Sequence, residues 1–194
     1  ISYSGSVNYL PVVLQELKER YLELINEMSK QDEDQDNDRY FRFGFREYKQ
    51  RILIELVSSA VVEGMANFLI AKNTDAETFD ILQQARLIKK WTTLPKLFIP
   101  NYEFPKGEVL NENLKLLIKR RNAIAHPKVE IKIDDEIIHK GNVSESHNNE
   151  IILHLNFCDL PEQLVDNLKK YDRSQAFELE IFLTKDKAVK KAAK

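Results

Sequence analysis

Leu110-Asn111-Glu112-Asn113-Leu114-Lys115-Leu116-Leu117-Ile118-Lys119-Arg120-Arg121-Asn122-Ala123-Ile124-Ala125-His126-Pro127 reads as one amphipathic helix with a charge in its apolar face. Advancing roughly 100° per residue brings Leu114, Leu117, Ile118, Ile124 and Ala125 onto one arc, with Arg121 in its middle. Lys115, Lys119 and Arg120 fall elsewhere on the helix. A guanidinium among apolar side chains must find acceptors, because an unpaired buried charge is very costly. Either the protein or a ligand supplies them. Asn122 and His126 share a neighbouring face. Pro127 ends the helix, since the residue before a proline is pushed out of the helical region.

Helical spacing also dominates the chain before this segment. Leu14, Leu17, Tyr21, Leu24, Ile25 and Met28 place a helix over Leu10–Met28. The acidic stretch Lys30–Asp38 then reads as a solvated loop. It is no EF-hand, because the sixth and twelfth positions counted from Asp32 are Asn37 and Phe43 instead of Gly and Glu. Arg39–Tyr48 interleaves aromatics with arginines. Packing of these aromatics against a bundle is the favoured reading, and an RNA-stacking surface the lesser one. A second helix is expected from about Glu47 to Lys72, with Glu55, Ser59, Glu63 and Asn67 as a polar stripe. That stripe is either a solvated face or the source of a carboxylate, Glu55 or Glu63, for Arg121. Asp75 caps a third helix running through Phe79, Leu82, Leu87 and Trp91.

After Pro127 the period switches to two. Val129, Ile131 and Ile133 alternate with polar residues, and Ile151, Leu153 and Leu155 alternate with Ile152, His154 and Asn156. This predicts a β-hairpin or small meander over about 128–157, joined through Gly141–Asn149. Asp159 and Glu162 resemble a capping box opening a helix through Tyr171, and C-terminal helices are expected over about 159–190. Phe177–Leu183 alternates like a strand but is read as helix from its place in a helical protein. The fold class is mainly α, a helical bundle with a β-elaboration, as a single domain over 1–194.

Composition narrows the function classes. Hydrophobic residues at 43% and charged residues at 31% fit an ordinary soluble globular domain. The five glycines are too scattered to build a phosphate-binding or dinucleotide-binding loop. A net charge of −2 argues against nonspecific coating of duplex nucleic acid, though not against a local basic site. One cysteine, Cys158, forms no internal disulfide, which makes a reducing cytoplasm the default location. No apolar run is read as long enough to span a membrane, and no signal peptide is visible. The four histidines and the cysteine lack metal-ligand spacing, so neither a metal nor another cofactor is expected. His139 and His147 are read as solvated, and His154 as lying on the polar side of a strand.

Arg121-Asn122-x-x-x-His126, with Leu114–Arg120 before it and Pro127 after it, resembles the signature of the HEPN superfamily: an Arg, commonly followed by Asn, then a His a turn later. The resemblance implies a helical bundle and, for many members, a metal-independent endoribonuclease found in toxins and antiviral defence systems. It assigns catalysis to Arg121, Asn122 and His126. His126 is the general base or acid, Arg121 stabilises charge on the phosphoryl oxygens, and Asn122 orients His126 or the phosphate. Lys115, Lys119, Arg120 and Lys128 give the cleft its positive potential, with Glu55 or Glu63 in support. One motif supplies one imidazole, whereas acid–base cleavage is better served by two. A two-fold homodimer with both motifs in one cleft is therefore expected. RNA is the expected substrate, with a cognate antitoxin or defence protein as partner and no membrane. HEPN-like domains without nuclease activity act as dimerisation or ligand-binding modules. That is the alternative, with Arg121 simply paired within the protein.

Overall fold

The structure, a computed structural model, describes residues 9–30, 37–126 and 143–192, with side chains described over 9–30, 43–126 and 147–184. Seven α-helices form the described part: α1 Leu10–Ser29, α2 Asn37–Asn73, α3 Ala76–Leu82, α4 Leu87–Thr92, α5 Val109–Ala125, α6 Val143–Lys169 and α7 Arg173–Ala192. A short 3-10 helix, Leu94–Leu97, follows α4. The 37-residue α2 is the axis of the bundle and touches every other helix.

Local chemistry sets the boundaries. Pro11 sits in the first turn of α1, where its missing N–H costs nothing. The Asp75 carboxylate accepts from the Thr78 N–H at 2.8 Å and opens α3. Gly107, at φ +80°, turns the chain just before α5. The third helix of the sequence reading is in fact two. α3 buries none of its side chains, whereas α4 buries Leu87 and Trp91. Trp91 Nε1 donates to the Val62 carbonyl at 3.1 Å, and Tyr102 Oη donates to the Trp91 carbonyl at 2.8 Å. These bonds satisfy the polar ends of two large core aromatics.

The mainly helical class holds, and no strand occurs among the described residues. The first half of the expected hairpin, Val129–Ile133, lies outside the described residues, as do Lys128 and His139. Its second half is corrected: Ile151–Asn156 lies inside α6. The alternation there is a local accident. Over a longer stretch His154, Phe157, Cys158, Leu160, Leu164, Val165 and Leu168 are buried, which is helical spacing, while Ile152 faces solvent. His154 thus belongs to the core and not to the polar side of a strand. Asp159 opens no helix, since α6 is already under way and passes through Pro161. Asp159 instead pairs with Lys18 of α1. Phe177–Leu183 is helical, within α7.

Two readings of α2 also change. Phe45 and Tyr48 do not pack onto the bundle; they are 69% and 61% exposed. The stretch Phe43–Asn73 is, by length and composition, long and apolar enough to cross a membrane, contrary to the sequence reading. Half of its most apolar window is buried by the other helices, which is how the core helix of a bundle acquires such a composition.

Candidate functional site

The polar stripe on α2 points inward. Glu55, Ser58 and Ser59 are buried, and Glu63 is half-buried. Two carboxylates on one helix face therefore meet basic side chains from different neighbours.

Glu63 faces α4 and α5. Its Oε2 accepts from Arg121 Nη2 at 3.1 Å, and its Oε1 accepts from Lys90 Nζ at 2.9 Å. Lys90 is only 1% exposed, while the side chains of Arg121 and Glu63 are 37% and 32% exposed. Arg121 Nη1 donates to Asn122 Oδ1 at 3.2 Å. The charge on the apolar arc thus finds its acceptor inside the protein, with much of the guanidinium still at the surface. Arg121 lies at the rim of that arc, not at its buried centre. Leu114 and Leu117 are fully buried, Ile118 and Ile124 half-buried, and Ala125 exposed, so α5 emerges from the bundle as it approaches its C-terminus. Asn122 and His126 are exposed on the same last turn. The His126 backbone N–H donates to the Asn122 carbonyl at 2.9 Å, holding the terminal residue against the helix.

Glu55 does not reach Arg121. Its Oε1 lies 2.9 Å from His154 Nε2, and His154 Nδ1 lies 2.7 Å from the Glu150 carbonyl. Both ring nitrogens are satisfied and the ring is 1% exposed, packed edge-on to Tyr21 and Phe157. Glu150 continues the seam outward by pairing with Arg120 of α5 and with Arg51 of α2. Arg51 also pairs with Glu47, and His147 is half-buried beside both. It is not the freely solvated histidine expected. Burial pushes the Tyr21 hydroxyl up to about 12, against the opposing pull of Arg51. Burial likewise pushes the Cys158 thiol up to about 12.

Of the cations expected to line a cleft, Lys115 pairs with Glu112 at 2.8 Å and Arg120 with Glu150, so both are locally neutralised. Lys119 is exposed. No group of His, Cys, Asp and Glu suited to a metal ion occurs among the described residues.

Reading the sequence missed Lys90, Glu150 and His154. The spacing of Glu55 and Glu63 did signal an inward stripe, since two acids on the buried side of an apolar helix require partners. Nothing local said which helices would supply them. No protein-family model, curated protein or solved structure matches the chain.

Proposed function

We propose that the protein is a metal-independent endoribonuclease of the HEPN kind that acts on single-stranded RNA as a two-fold dimer. One observation carries this reading. Arg121, Asn122 and His126 present polar, solvent-reachable groups on the last turn of one helix, with the guanidinium oriented by Glu63 and Asn122. A planar guanidinium suits phosphoryl oxygens, and an exposed imidazole suits proton transfer near neutral pH. In the reaction a base takes the 2′-hydroxyl proton and the 2′-oxygen attacks the adjacent phosphorus. The 5′-oxygen then leaves with a proton from an acid. The products are a 2′,3′-cyclic phosphate and a 5′-hydroxyl. His126 of each subunit fills one of the two proton-transfer roles, and Arg121 stabilises the charge that builds on the phosphorane oxygens. A toxin or antiviral effector in the cytoplasm, restrained by an antitoxin or a defence partner, is the setting this chemistry fits.

The test is cleavage of varied single-stranded RNAs in EDTA, with end-group analysis of the products and sedimentation to establish the dimer. Cyclic-phosphate and 5′-hydroxyl ends are expected from the wild type and not from His126→Ala. A verified dimer that leaves every RNA intact defeats the enzyme reading.

A second reading has its own support. Because Glu63 already satisfies Arg121, the motif also fits a non-catalytic dimerisation or ligand-binding module. Loss of the dimer without RNA cleavage by the wild type, on Arg121→Ala, favours that module.

A further inference from the structure

Lys90 stands apart from the motif in sequence and is the most deeply buried cation touching its surroundings. Its Nζ lies 2.9 Å from one oxygen of Glu63, whose other oxygen takes Arg121 at 3.1 Å. A carboxylate facing a lone guanidinium engages it bidentately, with both oxygens on two parallel N–H groups. Here the two cations divide the carboxylate: Lys90 competes for the first oxygen, and Arg121 contacts only the second. Arg121 is left with one nitrogen on Glu63 and one on Asn122 Oδ1, the latter a neutral and exposed acceptor that a stronger one displaces. The charges point the same way: two cations share a single carboxylate, so the cluster carries a surplus positive charge. Lys90 is buried, and therefore the surplus is presented at the half-exposed Arg121.

We propose that Lys90 is a positioning residue that keeps Arg121 available to a phosphodiester by holding Glu63 in a shared, one-oxygen contact. The ligand chemistry is an oxyanion carried on a single-stranded RNA backbone. The inference rests on the ribonuclease reading for its substrate and adds a residue from α4 that the motif does not contain. Lys90 touches no substrate; it acts through Glu63. Removing it frees Glu63 to turn both oxygens onto Arg121, quenching the anion site from inside the protein.

The experiment measures binding of a 2′-O-methyl single-stranded RNA, which lacks the attacking hydroxyl, and of inorganic pyrophosphate. Fluorescence anisotropy and calorimetry at low salt serve for the two probes. Lys90→Met keeps the length and apolar stem of the side chain. It is expected to bind both probes roughly ten-fold more weakly, the scale of one lost charge-assisted hydrogen bond. Glu63→Gln, which removes the competing charge, is expected to bind at least as tightly as wild type. The double variant K90M/E63Q is expected to recover most of the loss, because no carboxylate remains to clamp Arg121. A purely structural Lys90 predicts the opposite, with the double variant as weak as K90M or weaker. The proposal is overturned if folded K90M binds like wild type, or if the double variant shows no rescue. Should K90M not fold, Lys90→Gln takes its place, since it stays in the same pocket with a weaker, neutral claim on Glu63: binding like wild type overturns the proposal, and weaker binding restored by adding Glu63→Gln upholds it. A wild type that binds neither probe defeats the ribonuclease reading itself, whereas wild-type binding without the Lys90 effect defeats only this inference.

Discussion

Glu55 and Glu63 sit two helical turns apart on the same side of α2, and each meets a basic side chain from another helix, yet they build opposite kinds of site. The Glu55–His154 pair is closed. Both imidazole nitrogens have partners, the ring is buried, and aromatic rings pack against it. The Glu63 cluster is open. One carboxylate serves two cations, and the outer cation remains half-exposed beside the exposed Asn122 and His126. Identical acids at helical spacing thus say nothing of role by themselves. What separates them is whether the partner's hydrogen-bonding capacity is exhausted inside the protein. A closed pair has no donor or acceptor left over for a ligand. An open one retains donors for something that arrives from solvent.

The largest expected effects lie at the open end. Arg121→Ala and His126→Ala should each reduce RNA cleavage by roughly 10²–10⁴-fold, the range for a lost acid–base or charge-stabilising group. Arg121→Lys should be nearly as poor, because an ammonium cannot reproduce the planar fork, and Asn122→Ala should cost less. The melting temperature should stay close to wild type for His126→Ala, whose side chain is exposed. Activity unchanged in His126→Ala would remove the catalytic half of the comparison. Should Arg121→Ala unfold the protein, the open site would prove as structural as the closed one.

The closed end should respond in stability instead. His154→Ala strands the Glu55 carboxyl in the core, and leaving a buried polar group without its hydrogen-bond partner typically costs about 1–3 kcal/mol, more for a charged one. Chemical denaturation measures this directly. Cleavage per folded molecule should be unchanged, and a specific loss of activity in His154→Ala would merge the two sites into one. Replacing both partners with apolar residues of similar volume should recover much of the stability.

Glu150 links the two regions, touching the His154 ring through its backbone carbonyl and Arg120 of α5 through its carboxylate. Glu150→Ala should therefore cost little, up to about 1 kcal/mol for a partly exposed ion pair. A loss comparable to that of His154→Ala would mean that the seam acts as a single unit.

How much of this was legible in the sequence depends on the range of the signal. The helices of Leu10–Ser29 and Val109–Ala125 were read correctly because their apolar periodicity is local and strong. The start of α6 was misread because Ile151, Leu153 and Leu155 mimic a strand over five residues, while the burial stripe that decides the matter runs from His154 to Leu168. At the site, Arg121 announced its need for an acceptor, and Glu63 stood in the correct stripe. Lys90 was invisible: a lysine in a short helix reads as surface, and only the approach of α4 to α2 buries it. Partners separated by long stretches of chain leave no periodic trace, so the side chain that tunes the site was the one sequence could not supply.

An effect confined to alkaline pH sharpens the closed side further. Tyr21 lies fully buried beside the Glu55–His154 pair. Its hydroxyl donates to Glu47 Oε1 at 3.4 Å and accepts from Arg51 Nε at 3.3 Å. Burial raises its ionisation from 10.0 to about 12. Because the folded value lies above the unfolded one, Tyr21 favours the native state while neutral. Its contribution is whole below pH about 10 and declines as pH rises toward about 12, where the unfolded chain releases a proton that the native one retains. Tyr21→Phe should remove that share of the alkaline loss, so its melting temperature should fall less steeply than that of wild type across this window. Tyr102, also buried and also shifted upward, keeps its own share in both proteins and cancels in the comparison. Melting curves of the two proteins that run parallel through the window would show that water reaches Tyr21, and that the closed region is less sealed than the geometry at His154 implies.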